Sequence, residues 1–121
     1  LYGPAGTGKT CAALCLCDLA DLAVYRTVEQ IMDSTIRGDD WFRRITEVDL
    51  AVLDELAIRA NANDLDYTAV KRCADVRAGK PTIYITNVQP ADLGKLYDDR
   101  IFSRVACGTW YECTGDDRRF V

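Results

Sequence analysis

The run Gly3-Pro4-Ala5-Gly6-Thr7-Gly8-Lys9-Thr10 fits G-x-x-x-x-G-K-[ST] at every required position. That spacing suits the binding of a phosphate chain. Glycines let successive backbone N–H groups close around an anion, and a helix beginning just after them adds its unpaired N–H groups and the positive end of its dipole. In such a loop Lys9 reaches the β- and γ-phosphates of a nucleoside triphosphate, and the Thr10 hydroxyl serves Mg²⁺. A ligand-free glycine-rich turn ahead of a helix is the plainer alternative.

Hydrolysis needs more than a phosphate cradle. Asp54 and Glu55 follow Val48-Asp49-Leu50-Ala51-Val52-Leu53, a run with the apolar character of a strand buried on both faces of a parallel sheet. At the C-terminal end of that strand, where parallel sheets present their ligand edge, Asp54 would hold the metal shell and Glu55 would polarise a water as general base. The alternative is a solvated acidic pair. Asn87 ends the next apolar run and can orient the same water or simply form a turn. Arg100 and Arg104, four apart on one helix face, suit an anionic partner, and one of them could reach the γ-phosphate of a neighbouring subunit. Ion pairs with Asp98 and Asp99 are the competing explanation.

The elements that must carry these residues alternate. A nearly all-apolar helix, Thr10 to Ala20, reads as covered on most sides. A short strand at Ala23-Val24-Tyr25-Arg26 leads into Thr27-Val28-Glu29-Gln30, a capping box for a helix whose apolar positions recur to Ile36 and which Gly38 stops. Asp40 can cap a short helix over Trp41 to Ile45. After Leu53 a turn at Ala60-Asn61-Ala62-Asn63 precedes a helix capped by Asp64, with Tyr67, Val70, Cys73 and Ala74 inward. A strand at Pro81 to Thr86 follows, then Pro90 as a first helical residue, a helix from Asp98 to Ala106 and a strand candidate at Thr109 to Cys113. Strands alternating with helices predict a parallel α/β sheet with the nucleotide site at the strand C-terminal ends.

At 121 residues the chain has the size of one domain, 1–121, and no apolar stretch is long enough to cross a bilayer. Its net charge of −4 argues against a coat for nucleic acid, so any such contact must be local. The six cysteines contain no C-x-x-C pair and histidine is absent, which points away from zinc and towards reduced thiols in a cytoplasm. Leu1 in place of Met, with only Tyr2 between it and Gly3, leads us to expect part of a longer product.

Together, Gly3 to Thr10, Val48 to Glu55, Ile85-Thr86-Asn87 and Asp99-Arg100-Ile101-Phe102-Ser103-Arg104 resemble the AAA+ ATPase core of the DnaC/IstB group, which includes replicative helicase loaders and transposition helpers. Thr27 to Met32 is similar to the segment after the second strand in the loaders. The resemblance implies a three-layer α/β/α P-loop fold with a parallel five-stranded sheet of order 5-1-4-3-2, its first strand largely missing. It also implies Walker A at Gly3, Pro4, Ala5, Gly6, Thr7, Gly8, Lys9 and Thr10, Walker B at Leu50 to Glu55, sensor 1 at Asn87 and a trans-acting arginine finger at Arg104, with Arg100 its rival.

The activity so implied is ATP hydrolysis with Mg²⁺, in a bacterial or phage-infected cytoplasm. The partners are a replicative helicase, single-stranded DNA and further copies of the chain sharing ATP sites. A transposition helper, or a nucleotide-gated binding module with little turnover, is the alternative. Trp41, Phe42, Arg43 and Arg44 could stack on bases and meet phosphates, or belong to the core. Arg118 and Arg119 could approach nucleotide or DNA, or form a solvated tail.

Overall fold

The computed structural model describes residues 1–57 and 64–120. Three parallel strands, β1 (Ala23–Thr27), β2 (Leu50–Leu56) and β3 (Thr82–Thr86), lie in the order β1-β2-β3. Helix α1 (Lys9–Leu19) covers one face. The main core on the other face gathers residues of α2 (Val28–Arg37), α3 (Trp41–Glu47), α4 (Asp64–Val76), α5 (Pro90–Leu96) and α6 (Asp99–Ala106). β2 is central and alternates accordingly: Ala51 and Leu53 enter the larger core, and Val52 packs with Ala13 and Ile85 on the α1 side.

The five strands expected from the sequence are three in the structure. The other two positions are single bridges, in which Tyr2 pairs in parallel with Thr86 on one side and with Glu112 on the other. Among the described residues, Tyr2 alone pairs with both β3 and the segment around Glu112, and a single residue in register makes a bridge rather than a strand. The bridges keep the expected spatial order, with Tyr2 between Thr86 and Glu112.

Local signals set most boundaries. Thr27 and Gln30 form both halves of the capping box, and Gly38 ends α2 in the left-handed region. Pro90 is the first residue of α5. Asp40 precedes α3 but makes no side-chain cap; Asp39 instead accepts from the Trp41 N–H at 3.0 Å. Asp64 is the first residue of α4, and the turn expected at 60–63 lies outside the described residues.

Helix α1 is a correction. It was expected to be covered on most sides, yet only Lys9 and Ala13 are buried, while Leu14, Leu16 and Leu19 are 41%, 47% and 82% exposed. Its apolar composition exceeds what one sheet face can cover. Cys11 and Cys15 of the same helix are exposed as well.

Candidate nucleotide site

The loop from Gly3 to Thr10 connects the Tyr2 bridge to α1. Gly8 takes φ 90° directly before the helix, and a Cβ there would meet nothing within 4 Å, so the loop is open on that side. Gly6 has φ 77°, and a Cβ there would strike the carboxylate of Asp117; the next residue's N–H, on Arg118, donates to the Gly6 carbonyl at 3.0 Å. The Lys9 ammonium is buried and donates to the carbonyls of Gly3 at 2.8 Å and Pro4 at 2.6 Å. Burial lowers its pKa, opposed in part by Cys113 and Asp54.

Opposite the loop stands the end of β2. Between Leu53 and Leu56 this strand advances three residues while β3 advances two, from Tyr84 to Thr86, so one extra residue forms a bulge at Asp54-Glu55. The bulge separates the two carboxylates. Asp54 is buried, whereas Glu55 is exposed with φ 62°. Asp54 Oδ2 accepts from the Thr10 hydroxyl at 2.7 Å and the Tyr25 hydroxyl at 2.8 Å, and its Oδ1 accepts from the Glu55 N–H at 2.6 Å. Three neutral donors thus surround a buried negative charge. That hard-oxygen pair of hydroxyl and carboxylate fits Mg²⁺, whose charge would complete the balance. Tyr25 is pushed well above the usual phenol range by its own burial and its bond to Asp54. Glu55 is raised by desolvation, then by the charges of Asp54 and Glu29.

These groups enclose a cleft of about 690 Å³, lined by residues 5–12, 54–56 and 85–87 together with Arg118 and Arg119. The volume lies within the roughly 300–1,000 Å³ common for small-molecule sites. Asn87 stands at its edge, exposed, with no side-chain hydrogen bond among the described residues. Gly3 and Pro4 are not part of the lining; they contribute the carbonyls that hold Lys9.

Arg100 and Arg104 do not reach this cleft in their own chain. Arg104 forms an ion pair with Asp75 of α4, which also meets Lys71 at 3.3 Å, and it borders a separate hollow of about 460 Å³ beside Arg77 and Trp110. Arg100 is exposed on the first turn of α6. Asp98, one expected ion-pair partner, instead caps α6 through the N–H groups of Arg100 and Ile101 and accepts the Tyr67 hydroxyl.

The aromatic segment sorts in favour of the core. Trp41 is buried beneath the Arg26 guanidinium, Phe42 lies 3.7 Å below that of Arg72, and Arg43 pairs with Asp40. Trp41 is thus closed to a base, and one face of the half-buried Phe42 ring is taken by Arg72.

Sequence reasoning missed Tyr25, Thr86, Tyr97 and Asp117. Tyr25 shows its role only through the strand register, which places it beside Val52, two residues before Asp54. Thr86 reads from the sequence only as the last residue of a strand. The other two act through tertiary contacts that no local pattern marks.

No family model matches the chain, and no curated protein matches it in sequence. Solved structures do match. AMPPCP-bound DnaA from Aquifex aeolicus superposes with a TM-score of 0.77 at 20% identity, covering 98% of this chain and 41% of that one. The DnaC helicase loader gives 0.76 at 17% identity over 93% of this chain and 74% of its own. The fold is thus that of these DnaA and DnaC structures. The replication initiator DnaA bound to AMPPCP and single-stranded DNA gives 0.74 at 20% identity, covering 95% of this chain and 39% of that one. The chain thus spans about two fifths of the DnaA proteins it matches. The loop from Gly3 to Thr10 and the end of β2, which carry the two sequence motifs, meet at this one cleft. No helix among the described residues is long and apolar enough to cross a membrane.

Proposed function

We propose that this protein is an ATP- and Mg²⁺-dependent AAA+ ATPase of DNA replication that helps load a replicative helicase onto single-stranded DNA. The observation that carries the nucleotide chemistry is the 2.7 Å bond from Thr10 to Asp54, which joins two motifs 44 residues apart at one cleft. Likeness to the DnaC helicase loader and to DnaA bound to single-stranded DNA supports the replication role.

On this reading Lys9 exchanges the Gly3 and Pro4 carbonyls for phosphate oxygens, and the loop amides take up the rest of the anion's charge. Thr10 and Asp54 would hold Mg²⁺, which when bound neutralises charge on the phosphates. Glu55 accepts the proton of the attacking water, and Asn87 orients that water. Arg104 serves the site of a neighbouring copy, for which it must leave Asp75; Arg100, nearer the helix start, is its rival. Self-association then couples each site to the next subunit.

Turnover of the intact protein beside Glu55→Gln tests the base. We expect ATP binding to persist and hydrolysis to fall about 100-fold or more. Equal rates would sink the role of Glu55, and binding without hydrolysis in both would mark a nucleotide-gated switch. Mixing Arg104→Ala with Lys9→Ala subunits should restore some activity through mixed sites; co-assembly without restoration argues against Arg104. Delivery of a replicative helicase to single-stranded DNA, measured with and without ATP, tests the loading role.

A further inference from the structure

The turn that displays Glu55 is unusual in its backbone. Among the described residues, Glu55 and Ala57 are the non-glycine residues with positive φ, at 62° and 59°, and only Leu56 stands between them. Side chains disfavour this region, so the turn persists only if its surroundings over-determine it. Three clasps do so, each on a different residue. The Asp54 carboxylate accepts the Glu55 N–H at 2.6 Å, the Thr86 hydroxyl donates to the Leu56 carbonyl at 2.8 Å, and the Tyr97 hydroxyl accepts the Ala57 N–H at 3.2 Å.

We infer that Tyr97 is a positioning residue for Glu55, holding the left-handed turn that aims the carboxylate into the cleft. The inference rests on the hydrolytic reading above. Tyr97 is 2% exposed at the end of α5, and its backbone is fixed by its N–H bond to Leu93. Its hydroxyl therefore meets Ala57 from a rigid base. Asp54 and Thr86 also line the cleft and hold other partners, Thr10 and the Val88 N–H, whereas Tyr97 does not line it, so its loss can be read without direct injury to nucleotide binding.

The test is Tyr97→Phe in the intact protein, which keeps the ring and removes the acceptor. Nucleotide affinity and KM should stay within about twofold, while kcat falls at least about tenfold, because small displacements of a catalytic group are costly. Exchange of the Ala57 amide with solvent, measured without nucleotide, should accelerate at least about tenfold. Adding Ala57→Gly to Tyr97→Phe should recover part of kcat, since glycine adopts positive φ without a clasp. Unchanged kcat, unchanged exchange, or a loss that Ala57→Gly leaves untouched would each overturn the inference. Absence of turnover in the unsubstituted protein would overturn both this role and the hydrolytic reading. The exchange result would then separate a missing clasp from a missing activity.

Discussion

Arg77 offers the sharpest test of how this fold is held, because a guanidinium that is 2% exposed must be explained by its partners. It donates to the carbonyls of Pro81, Val48 and Ile45 at 2.6, 2.7 and 3.0 Å, to Thr82 Oγ1 at 3.2 Å, and more distantly to the Asp49 carbonyl. Ile45 and Val48 lie at the C-terminal end of α3, where unpaired carbonyls and the negative end of the helix dipole favour a cation. One side chain thus ties the end of α3 to the starts of β2 and β3. Charge-assisted bonds of this kind contribute about 1.5–3 kcal/mol each, and they offset the desolvation of the guanidinium, whose pKa is lowered by burial.

Replacing Arg77 by Met keeps much of the apolar stem but strands three close carbonyls, so we expect a net loss of about 2–4 kcal/mol. For a chain of this size the thermal midpoint should fall on the order of 10 °C. Lys, a single charged point with three donors, should recover part of that loss. Urea unfolding of the intact protein, followed by circular dichroism, gives the answer. An Arg77→Met variant within about 0.5 kcal/mol of the parent would refute the reasoning.

Glu55→Gly should abolish turnover yet leave the protein as stable or up to about 1 kcal/mol more stable, since relief of the left-handed strain outweighs the backbone entropy that glycine adds; a clear loss of stability would contradict this. Thiol labelling of the native protein should reach Cys11, Cys15 and Cys107 and spare Cys73, which is buried and pushed up to about 12; a bound ATP analogue should slow Cys11, which lines the cleft, more than Cys15. Asp98, held below its ordinary 3.8 by Tyr67 and the α6 amides, contributes stability that is full above that value and lost as pH falls through its lower folded pKa; Asp98→Asn should flatten this part of the acid unfolding curve. Trp41→Ala should cost about 3–5 kcal/mol in unfolding experiments, as a core residue rather than a nucleic-acid contact would.

What could be read from the sequence was local. The loop glycines, the Thr27–Gln30 box, Pro90 and the apolar run before Asp54 each declare themselves within a few residues, and the structure forms elements around all of them. The bulge at Asp54-Glu55 is different, since it exists only relative to β3. So is the pairing of Arg104 with Asp75, where neighbouring acids in the sequence drew attention from one on another helix. Helix α1 misled for a third reason: composition reports how apolar a segment is, but how much of it is covered depends on the elements that reach its face.

That uncovered face changes how the protein should be handled at the bench. Leu14, Leu16, Leu19 and Leu22, along α1 and just after it, expose large apolar side chains to water. A hydrophobic dye should therefore fluoresce with the native chain, a response usually taken as the mark of a loosened, molten state. Here sharp near-ultraviolet dichroism from the buried Trp41 would accompany the bright dye, and only the two measurements together would distinguish an intact fold from a collapsed one.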